Sequence, residues 1–185
     1  MIEVRSLAKL NLNDLKRVAS GYTSDSKYVV VYTDSENEVS FNLQLVVPEQ
    51  QYVRKYDNFD AETLDRYNEI LQGSCSFGAY DGDLLIGFLI AEARLWNRSL
   101  WVYEFHVAET HRSLGIGKRL MQKATGKAKR AKLRTIVCET QNTNASAILV
   151  YRKLGFRMEG IDISSYSNTD YPDSEIAVFM KKRLQ

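Results

Sequence analysis

The stretch VAETHRSLGIGK, residues 107–118, decides the fold of this chain. A β-rich segment from Leu100 to Val107 leads into it, and a segment with helical periodicity from about Gly115 to Ala131 follows it. The chain therefore reads here as a strand, a short turn and a helix, and the turn carries the motif Arg112-x-x-Gly115-x-Gly117. Glycine lets a backbone pass close to a ligand and adopt turns that a Cβ forbids.

This turn is predicted to cradle an anion. The first N–H groups of a helix have no intrahelical partners, and the helix dipole adds about half a positive charge there. Lys118 and Arg119 add two full charges, so a pyrophosphate would be well held. The alternative is a tight turn without a ligand. Two other phosphate motifs do not fit, because the chain has neither the Gly-x-x-x-x-Gly-Lys-Ser/Thr of a P-loop nor a three-glycine dinucleotide motif.

A second motif lies in NASAILVYRKLGF, residues 144–156, which reads Asn144-x-x-Ala147-x-x-x-Tyr151-x-x-x-Gly155-Phe156. As a helix it places Ala147, Ile148 and Tyr151 on one stripe, with Gly155 ending the helix before a strand. An amphipathic helix packed on a sheet, with Ile148, Leu149 and Leu154 in the core, accounts for most of this segment. It does not account for the polar Asn144 at the start.

The order of the elements predicts an α/β (α+β) fold with a mixed, mostly antiparallel central sheet and helices on both faces. Hairpins are predicted at 28–47 and around Asp81-Gly82. Asp60 is predicted to cap a helix that runs to Leu71. The last two strands are expected at 156–165 and 175–181.

Composition narrows the classes of function. The 185 residues are 44% hydrophobic and 26% charged, and no Gly/Ser/Pro-rich linker divides them. We therefore expect one domain, 1–185, with a variable N-terminal part at 1–60 that contains a hairpin and a core at 74–181. The net charge of +2 argues against a nucleic-acid partner. The basic run at 118–134 falls on a helix with a buried side and reads as a solvated face.

Cysteine and histidine usage predicts no metal site. Cys75 and Cys138 are distant in sequence from His106 and His111, and both cysteines are expected to be reduced core residues. The longest apolar run, 84–91, is far short of the ~20 residues that a membrane helix needs, so no membrane partner is expected. The expected location is the cytoplasm, and a homodimer is compatible with the sequence.

Taken together, the two glycine-bearing motifs resemble the signatures of the GNAT superfamily of N-acetyltransferases. The resemblance implies acetyl-CoA as co-substrate and no metal. It implies that the pyrophosphate is held by the backbone N–H groups of Arg112, Ser113, Leu114, Gly115, Ile116, Gly117 and Lys118. It also implies that the pantetheine and acetyl group run beside Phe105, His106 and Val107. Asn144 would contact the pantetheine arm, and the Tyr151 hydroxyl would lie near the CoA sulfur.

The resemblance suggests which residues move protons. An amine of the lysine type has a pKa near ~10.4, so neutralising it at pH 7 costs about 4–5 kcal/mol, and a base helps to supply that energy. The resemblance favours Tyr151 as general acid for the leaving thiolate, against an ordinary packing role. It favours Glu104 as base, against a carboxylate that fixes local structure or binds the cation of the acceptor. His106 is expected beside the pantetheine rather than as the base.

The strand that carries Glu104 departs from the family pattern by one residue. Relatives often place their acidic residue where this chain has Tyr103. Strand alternation puts Tyr103 and Glu104 on opposite faces unless a bulge intervenes, and a bulge is expected at this point.

Shorter matches are similar to streptothricin acetyltransferases, which acetylate an amine of the β-lysine arm. The matching segments are 52–57, 96–98, 139–141, Ser165-Tyr166 and 176–179. This similarity implies a small cationic amine of the streptothricin type as acceptor. The residues expected to bind it are Trp96, Tyr103, Tyr166 and Asp170. The acidic loop around Asp170 has the alternative of being merely solvated. Acetylation of a protein N-terminus or another small amine, and acetyl-CoA binding without catalysis, are the alternative functions.

Overall fold

The computed structural model describes residues 1–184. In chain order the elements are β1 (Ile2–Ser6), α1 (Leu12–Val18), β2 (Gly21–Ser24), β3 (Lys27–Asp34), β4 (Val39–Val46), β5 (Tyr52–Lys55), α2 (Ala61–Leu71), β6 (Phe77–Asp81), β7 (Leu84–Arg94), β8 (Ser99–Val107), a 3₁₀ turn (Glu109–His111), α3 (Ile116–Arg130), β9 (Thr135–Gln141), α4 (Ala145–Lys153), β10 (Arg157–Asp162) and β11 (Ala177–Arg183). The chain forms two compact units. The first holds Met1–Gly21, Lys55–Cys138 and the described end from Lys182, and the second holds Tyr22–Arg54 and Glu139–Lys181.

The sheet of the first unit runs in the order β1-β6-β7-β8, with neighbours antiparallel. The start of β9 then joins in parallel, with Ser99 opposite Thr135 and Val102 opposite Cys138. The predicted hairpin at Asp81-Gly82 is confirmed, and Gly82 takes a positive φ of 59° in its turn.

Strand β7 is apolar almost throughout because both of its faces are covered. Phe88 and Ile90 belong to a buried cluster with residues of α1 and α2, among them Leu15 and Tyr67. On the opposite face, a Cβ at Gly87 would lie 3.4 Å from Ile116 and Leu120 of α3. The prediction of a mostly antiparallel sheet with helices on both faces is therefore confirmed.

Helices α1 and α2 each begin with a side-chain cap, of which the cap at Asp60 was predicted. Asn11 caps α1 by accepting from the Asp14 N–H at 2.8 Å, and Asp60 caps α2 by accepting from the Thr63 N–H at 2.8 Å. In α3 the buried residues form one stripe, so the basic run lies on the opposite, solvated side as expected.

In the second unit, β3 and β4 form the predicted hairpin, with Tyr28 opposite Leu45. The sheet of this unit contains the end of β9, then β11 and β10, with β10 and β11 antiparallel. Asn142 joins two of its segments through both its backbone and its side chain. It bonds the backbone of Tyr28 at 2.8 and 2.9 Å and the backbone of Ile176 at 2.8 and 2.9 Å.

Two details differ from the sequence prediction. The pair β2 and β5 was not predicted as strands, since four residues are too few to show an alternating pattern. The expected strand at 156–165 ends at Asp162, because the following residues form a loop with its own hydrogen bonds.

The remaining expectations concern the cysteines and the membrane. Cys75 and Cys138 are both buried, and within residues 1–184 no disulfide joins them. Burial raises the pKa of the Cys75 thiol, against an opposing effect of Lys127. None of the helices in this part of the chain is both long and apolar enough to cross a membrane.

Candidate active site

The glycine turn leads from β8 to α3 through two left-handed residues, Ser113 with φ of 64° and Gly115 with φ of 75°. The first helical bond of α3 runs from the Arg119 N–H to the Gly115 carbonyl at 3.1 Å. The N–H groups of residues 116–118 therefore precede the helical ladder.

The start of α3 combines uncapped backbone N–H groups with a positive charge, as an anion-binding site does. No side chain caps it, and its first turn carries no acidic residue, although helices usually place both there. Lys118 is exposed at this end. The guanidinium of Arg112 is bound to the protein backbone, because it donates hydrogen bonds to the carbonyls of Gly21 at 2.9 Å and Val107 at 3.3 Å. These bonds stabilise the turn.

Glycine is required at positions 115 and 117 for different structural reasons. A Cβ at Gly115 would meet no atom within 4 Å, so its requirement is the positive φ. A Cβ at Gly117 would lie 3.2 Å from Cζ of Phe105, so Gly117 allows α3 to pack closely on β8. Both glycines were expected to let the backbone approach a ligand, whereas Gly117 allows close packing against Phe105.

The expected bulge is present in β8. Ile90 lies opposite Glu104 and Ala91 lies opposite Val102, which leaves Tyr103 as the extra residue. The Tyr103 hydroxyl donates to Glu92 at 2.9 Å and accepts from Arg94 at 3.3 Å. Tyr103 is thus engaged with β7.

Glu104 lies in a small polar cluster of the first unit. One oxygen, Oε1, accepts a hydrogen bond from the Tyr67 hydroxyl, and Oε2 lies 2.5 Å from Nε2 of His106. The side chains of Glu104 and His106 are each 17% exposed. Burial, together with the neighbouring Glu104, raises the pKa of Tyr67 above its ordinary value, so this phenol keeps its proton and donates.

His106 is packed between aromatic rings. Its ring centroid lies 5.7 Å from that of Tyr56 and 5.5 Å from that of Phe88. The helix that carries Tyr67 was predicted from the sequence, but the contact of Tyr67 with Glu104 was not. The only signal was a hydroxyl within an otherwise apolar stripe of α2.

In the second unit, Asn144 caps α4, since its Oδ1 accepts from the Ala147 N–H at 3.1 Å. This hydrogen bond explains why a polar residue stands at the start of α4. It uses only Oδ1, so the Nδ2 group of Asn144 can donate a separate hydrogen bond. Tyr151 is buried on α4, with its ring 5.5 Å from that of Phe156. Ile148 is buried as expected, but Leu149 is 43% exposed and was wrongly assigned to the core. It lies 100° around the helix from Ile148.

The loop after β10 orders itself around Asp170, which is only 3% exposed. Its carboxylate accepts from the N–H groups of Tyr166 at 2.7 Å and Ser167 at 3.0 Å, and from the Ser167 hydroxyl at 2.7 Å. Desolvation raises the pKa of Asp170, but these hydrogen bonds outweigh it and lower the pKa below its ordinary value. Asp170 is therefore not part of a solvated acidic loop.

Tyr166 joins two of the segments that carry the similarity to streptothricin acetyltransferases. Its hydroxyl donates to Glu139 and accepts from Gln141 at 3.3 Å. Desolvation of the hydroxyl and the nearby Glu139 carboxylate raise the pKa of Tyr166. Its side chain remains partly exposed.

Trp96 is not brought to the Glu104 cluster. It is 83% exposed in the turn before β8, and Ser99, where β8 begins, is already about 16 Å from Glu104 along an extended strand. In the first unit the structure thus groups Glu104 with His106 and leaves Trp96 apart.

Sequence reasoning also missed a polar hub at Glu175 in the second unit. Its Oε1 accepts from the hydroxyls of Tyr22 at 3.1 Å, Tyr52 at 2.9 Å and Thr143 at 3.2 Å. Arg54 lies 3.5 Å from Oε2. The three hydroxyls come from segments far apart in the chain, so no local pattern reveals the hub.

Comparison with known proteins gives a consistent result. A model of the acetyltransferase (GNAT) family matches residues 41–156. A streptothricin acetyltransferase from Streptomyces lavendulae is 37% identical over 100 residues, which cover 54% of this chain and 52% of that protein. The match thus spans about half the length of this relative.

Two crystal structures resemble the whole chain. A nourseothricin acetyltransferase has a TM-score of 0.79 at 27% identity, covering 100% of this chain and 99% of that chain. A Bacillus anthracis protein in complex with acetyl coenzyme A has a TM-score of 0.73 at 23% identity, covering 100% of both chains, and shows the same fold.

Proposed function

This chain belongs to the acetyltransferase (GNAT) family, and from that premise we propose that it is an acetyl-CoA-dependent N-acetyltransferase acting on a primary amine of a small cationic acceptor. The reaction moves an acetyl group from the CoA sulfur to the amine nitrogen. We propose the cytoplasm as its location, which suits the two buried cysteines.

The observation that carries this proposal is the start of α3. Backbone N–H groups precede the helical ladder, no side-chain cap or acidic residue neutralises them, and Lys118 adds a positive charge. A pyrophosphate supplies what this helix end lacks. We assign the cofactor to residues 112–118 of the turn and to 105–107 of β8, with Gly117 acting by keeping the helix close to the strand.

The chemistry is proposed to rest on three side chains. Tyr151 acts as general acid and protonates the departing CoA thiolate, and Asn144 binds the pantetheine arm through its amide. Glu104 supplies the negative charge that helps to draw a proton from the acceptor ammonium. Neutralising such an amine costs about 4–5 kcal/mol at pH 7, and we propose that the groups around Glu104 help to offset this cost.

Streptothricin is the acceptor that we propose. The name of the Streptomyces lavendulae relative supports it, and so does the meeting of Tyr166 with Glu139, which offers an aromatic ring beside a carboxylate to a cation. Asp170 takes part by ordering the loop that carries Tyr166. Tyr103 and Trp96 remain proposed acceptor contacts with less support, since Tyr103 is engaged with β7 and Trp96 lies apart.

The test is the release of CoA thiol from acetyl-CoA with streptothricin as acceptor, with mass spectrometry of the product. We expect streptothricin to gain one acetyl group. If acetyl-CoA binds but streptothricin is unchanged, the acceptor is wrong, and polyamines, aminoglycosides and peptides are tested next. If no amine in this panel is acetylated while acetyl-CoA still binds, the chain is a binding module. Absence of acetyl-CoA binding by calorimetry would overturn the whole proposal.

A further inference from the structure

Both carboxylate oxygens of Glu104 are already engaged. Oε1 accepts from Tyr67 and Oε2 lies 2.5 Å from Nε2 of His106. These contacts occupy one lone pair on each oxygen and hold the carboxylate between two neighbouring side chains. Glu104 is therefore placed to orient these partners, one of which, His106, carries a basic ring nitrogen.

The same contact fixes the tautomer of His106. An ionised carboxylate only accepts hydrogen bonds, so the imidazole nitrogen that faces it, Nε2, carries the hydrogen. In the neutral ring the other nitrogen, Nδ1, then holds the basic lone pair. Within residues 1–184, Nδ1 makes no hydrogen bond, and the side chain is partly exposed. A carboxylate that orients an imidazole in this way is the arrangement of a triad base.

We infer that Nδ1 of His106 is the atom that takes the proton from the acceptor ammonium, and that Glu104 and Tyr67 are positioning residues for it. This inference rests on the proposed acetyl transfer to an amine. The N–H bond of the ammonium breaks, its electron pair stays on the amine nitrogen, and a new N–H bond forms at Nδ1. The resulting imidazolium lies against the Glu104 carboxylate, and the proton later passes to solvent. The neutral amine attacks the thioester carbonyl, and the C–S bond breaks with its electron pair going to sulfur. The thiolate takes the proton of Tyr151, and the second proton lost from the nitrogen restores Tyr151 through solvent.

Aromatic side chains from three segments of the chain face this pair. From α2 the pair is faced by Tyr67, whose ring lies 5.4 Å from the guanidinium carbon of Arg66. From the segment after β5 it is faced by Tyr56. Phe88 of β7 completes the wall. The carboxylate of Glu104, 2.5 Å from Nε2, lies where an imidazolium formed during the reaction would need a counter-charge.

The first test is His106→Gln, with streptothricin as acceptor. The glutamine amide can still donate to Glu104 but offers no basic nitrogen. We expect kcat/KM at pH 7 to fall about 100-fold or more, as for loss of a general base, and the deficit to shrink toward pH 10, where the amine is increasingly neutral. Calorimetry with acetyl-CoA measures any change in cofactor binding separately, because His106 also lies among the residues 105–107 assigned to the cofactor. A wild-type rate and pH profile for His106→Gln would overturn the inference.

The second test is Tyr67→Phe, which removes the hydrogen bond to Glu104 at nearly constant volume. Without this donor, Glu104 and His106 together bind a proton more readily, so the acidic limb of the pH profile of kcat/KM moves to higher pH. We also expect kcat to fall about 10-fold. Tyr32→Phe is the matched control, because it removes a phenol bond to Asp34 at 2.8 Å on the exposed hairpin, and its profile stays that of the wild type. An unmoved limb in Tyr67→Phe would contradict its positioning role.

Glu104→Gln separates the two candidate bases. If His106 takes the proton, both His106→Gln and Glu104→Gln lose activity at pH 7. If only Glu104→Gln loses activity, Glu104 is itself the base and the inference fails. Failure of the proposed function looks different, because the wild type would then transfer no acetyl group to streptothricin at any pH.

Discussion

Replacing Gly115 by aspartate or by asparagine separates the charge of the proposed cradle from its shape. Gly115 adopts a φ of 75°, and a Cβ at this position meets no atom within 4 Å. Asn and Asp tolerate the left-handed conformation better than other residues with a side chain. Both variants should therefore fold at a similar cost of about 1 kcal/mol, and they differ in one negative charge.

The expected effect on cofactor binding follows from electrostatics. A carboxylate at residue 115 would stand beside the start of α3, where the anion is proposed to bind, and two unit charges about 5 Å apart repel by about 0.8 kcal/mol even in water. With about two charges on the pyrophosphate, the repulsion is at least about 1.6 kcal/mol. Acetyl-CoA should therefore bind Gly115→Asp about 15-fold more weakly than Gly115→Asn.

Calorimetry with acetyl-CoA and urea unfolding of the free variants check this prediction together. Without cofactor, the negative charge of the aspartate interacts favourably with the dipole of α3. The free energy of unfolding of Gly115→Asp should therefore be no lower than that of Gly115→Asn. The difference in affinity should shrink as salt is added. Equal affinities of the two variants at low salt would refute the view that an anion sits at the start of α3.

Three further predictions address other parts of the molecule. Gly117→Ala brings a Cβ within 3.2 Å of Phe105 and should lower the free energy of unfolding by about 1 kcal/mol, measured in urea; no loss would mean that the contact is loose. Tyr151→Phe should lower kcat about 10-fold or more while calorimetry shows unchanged acetyl-CoA affinity, and an unchanged kcat would remove Tyr151 as general acid. Glu175→Gln weakens three hydrogen bonds from hydroxyl groups and should lower the free energy of unfolding by about 2–3 kcal/mol. The control Asp173→Asn, on the exposed loop, should change the free energy of unfolding by less than about 0.5 kcal/mol. Equal effects of the two substitutions would contradict a stabilising role of the hydrogen bonds to Glu175.

The features that could be predicted from the sequence are those with a local cause. The hairpin at Gly82 and the cap at Asp60 depend on residues within a few positions of each other, and so does the turn at Gly115. The bulge at Tyr103 was expected from the resemblance alone. Residues whose contacts span the chain were missed, such as Glu175, whose donors Tyr22, Tyr52 and Thr143 lie 153, 123 and 32 positions away. Asp170 differs, because its three hydrogen bonds are local and nothing in the sequence separates it from the other acidic loop residues.

This division between local and distant causes also separates cofactor recognition from proton transfer. The proposed cradle uses backbone N–H groups, so a glycine pattern is enough to reveal it. The Glu104 cluster uses side chains, and Tyr67 reaches Glu104 from a helix 37 positions earlier in the chain. A search by motif would therefore find the cofactor turn in a relative that has lost Tyr67 or His106. The residues at positions 67, 104 and 106 should therefore indicate whether a similar chain can deprotonate an ammonium acceptor.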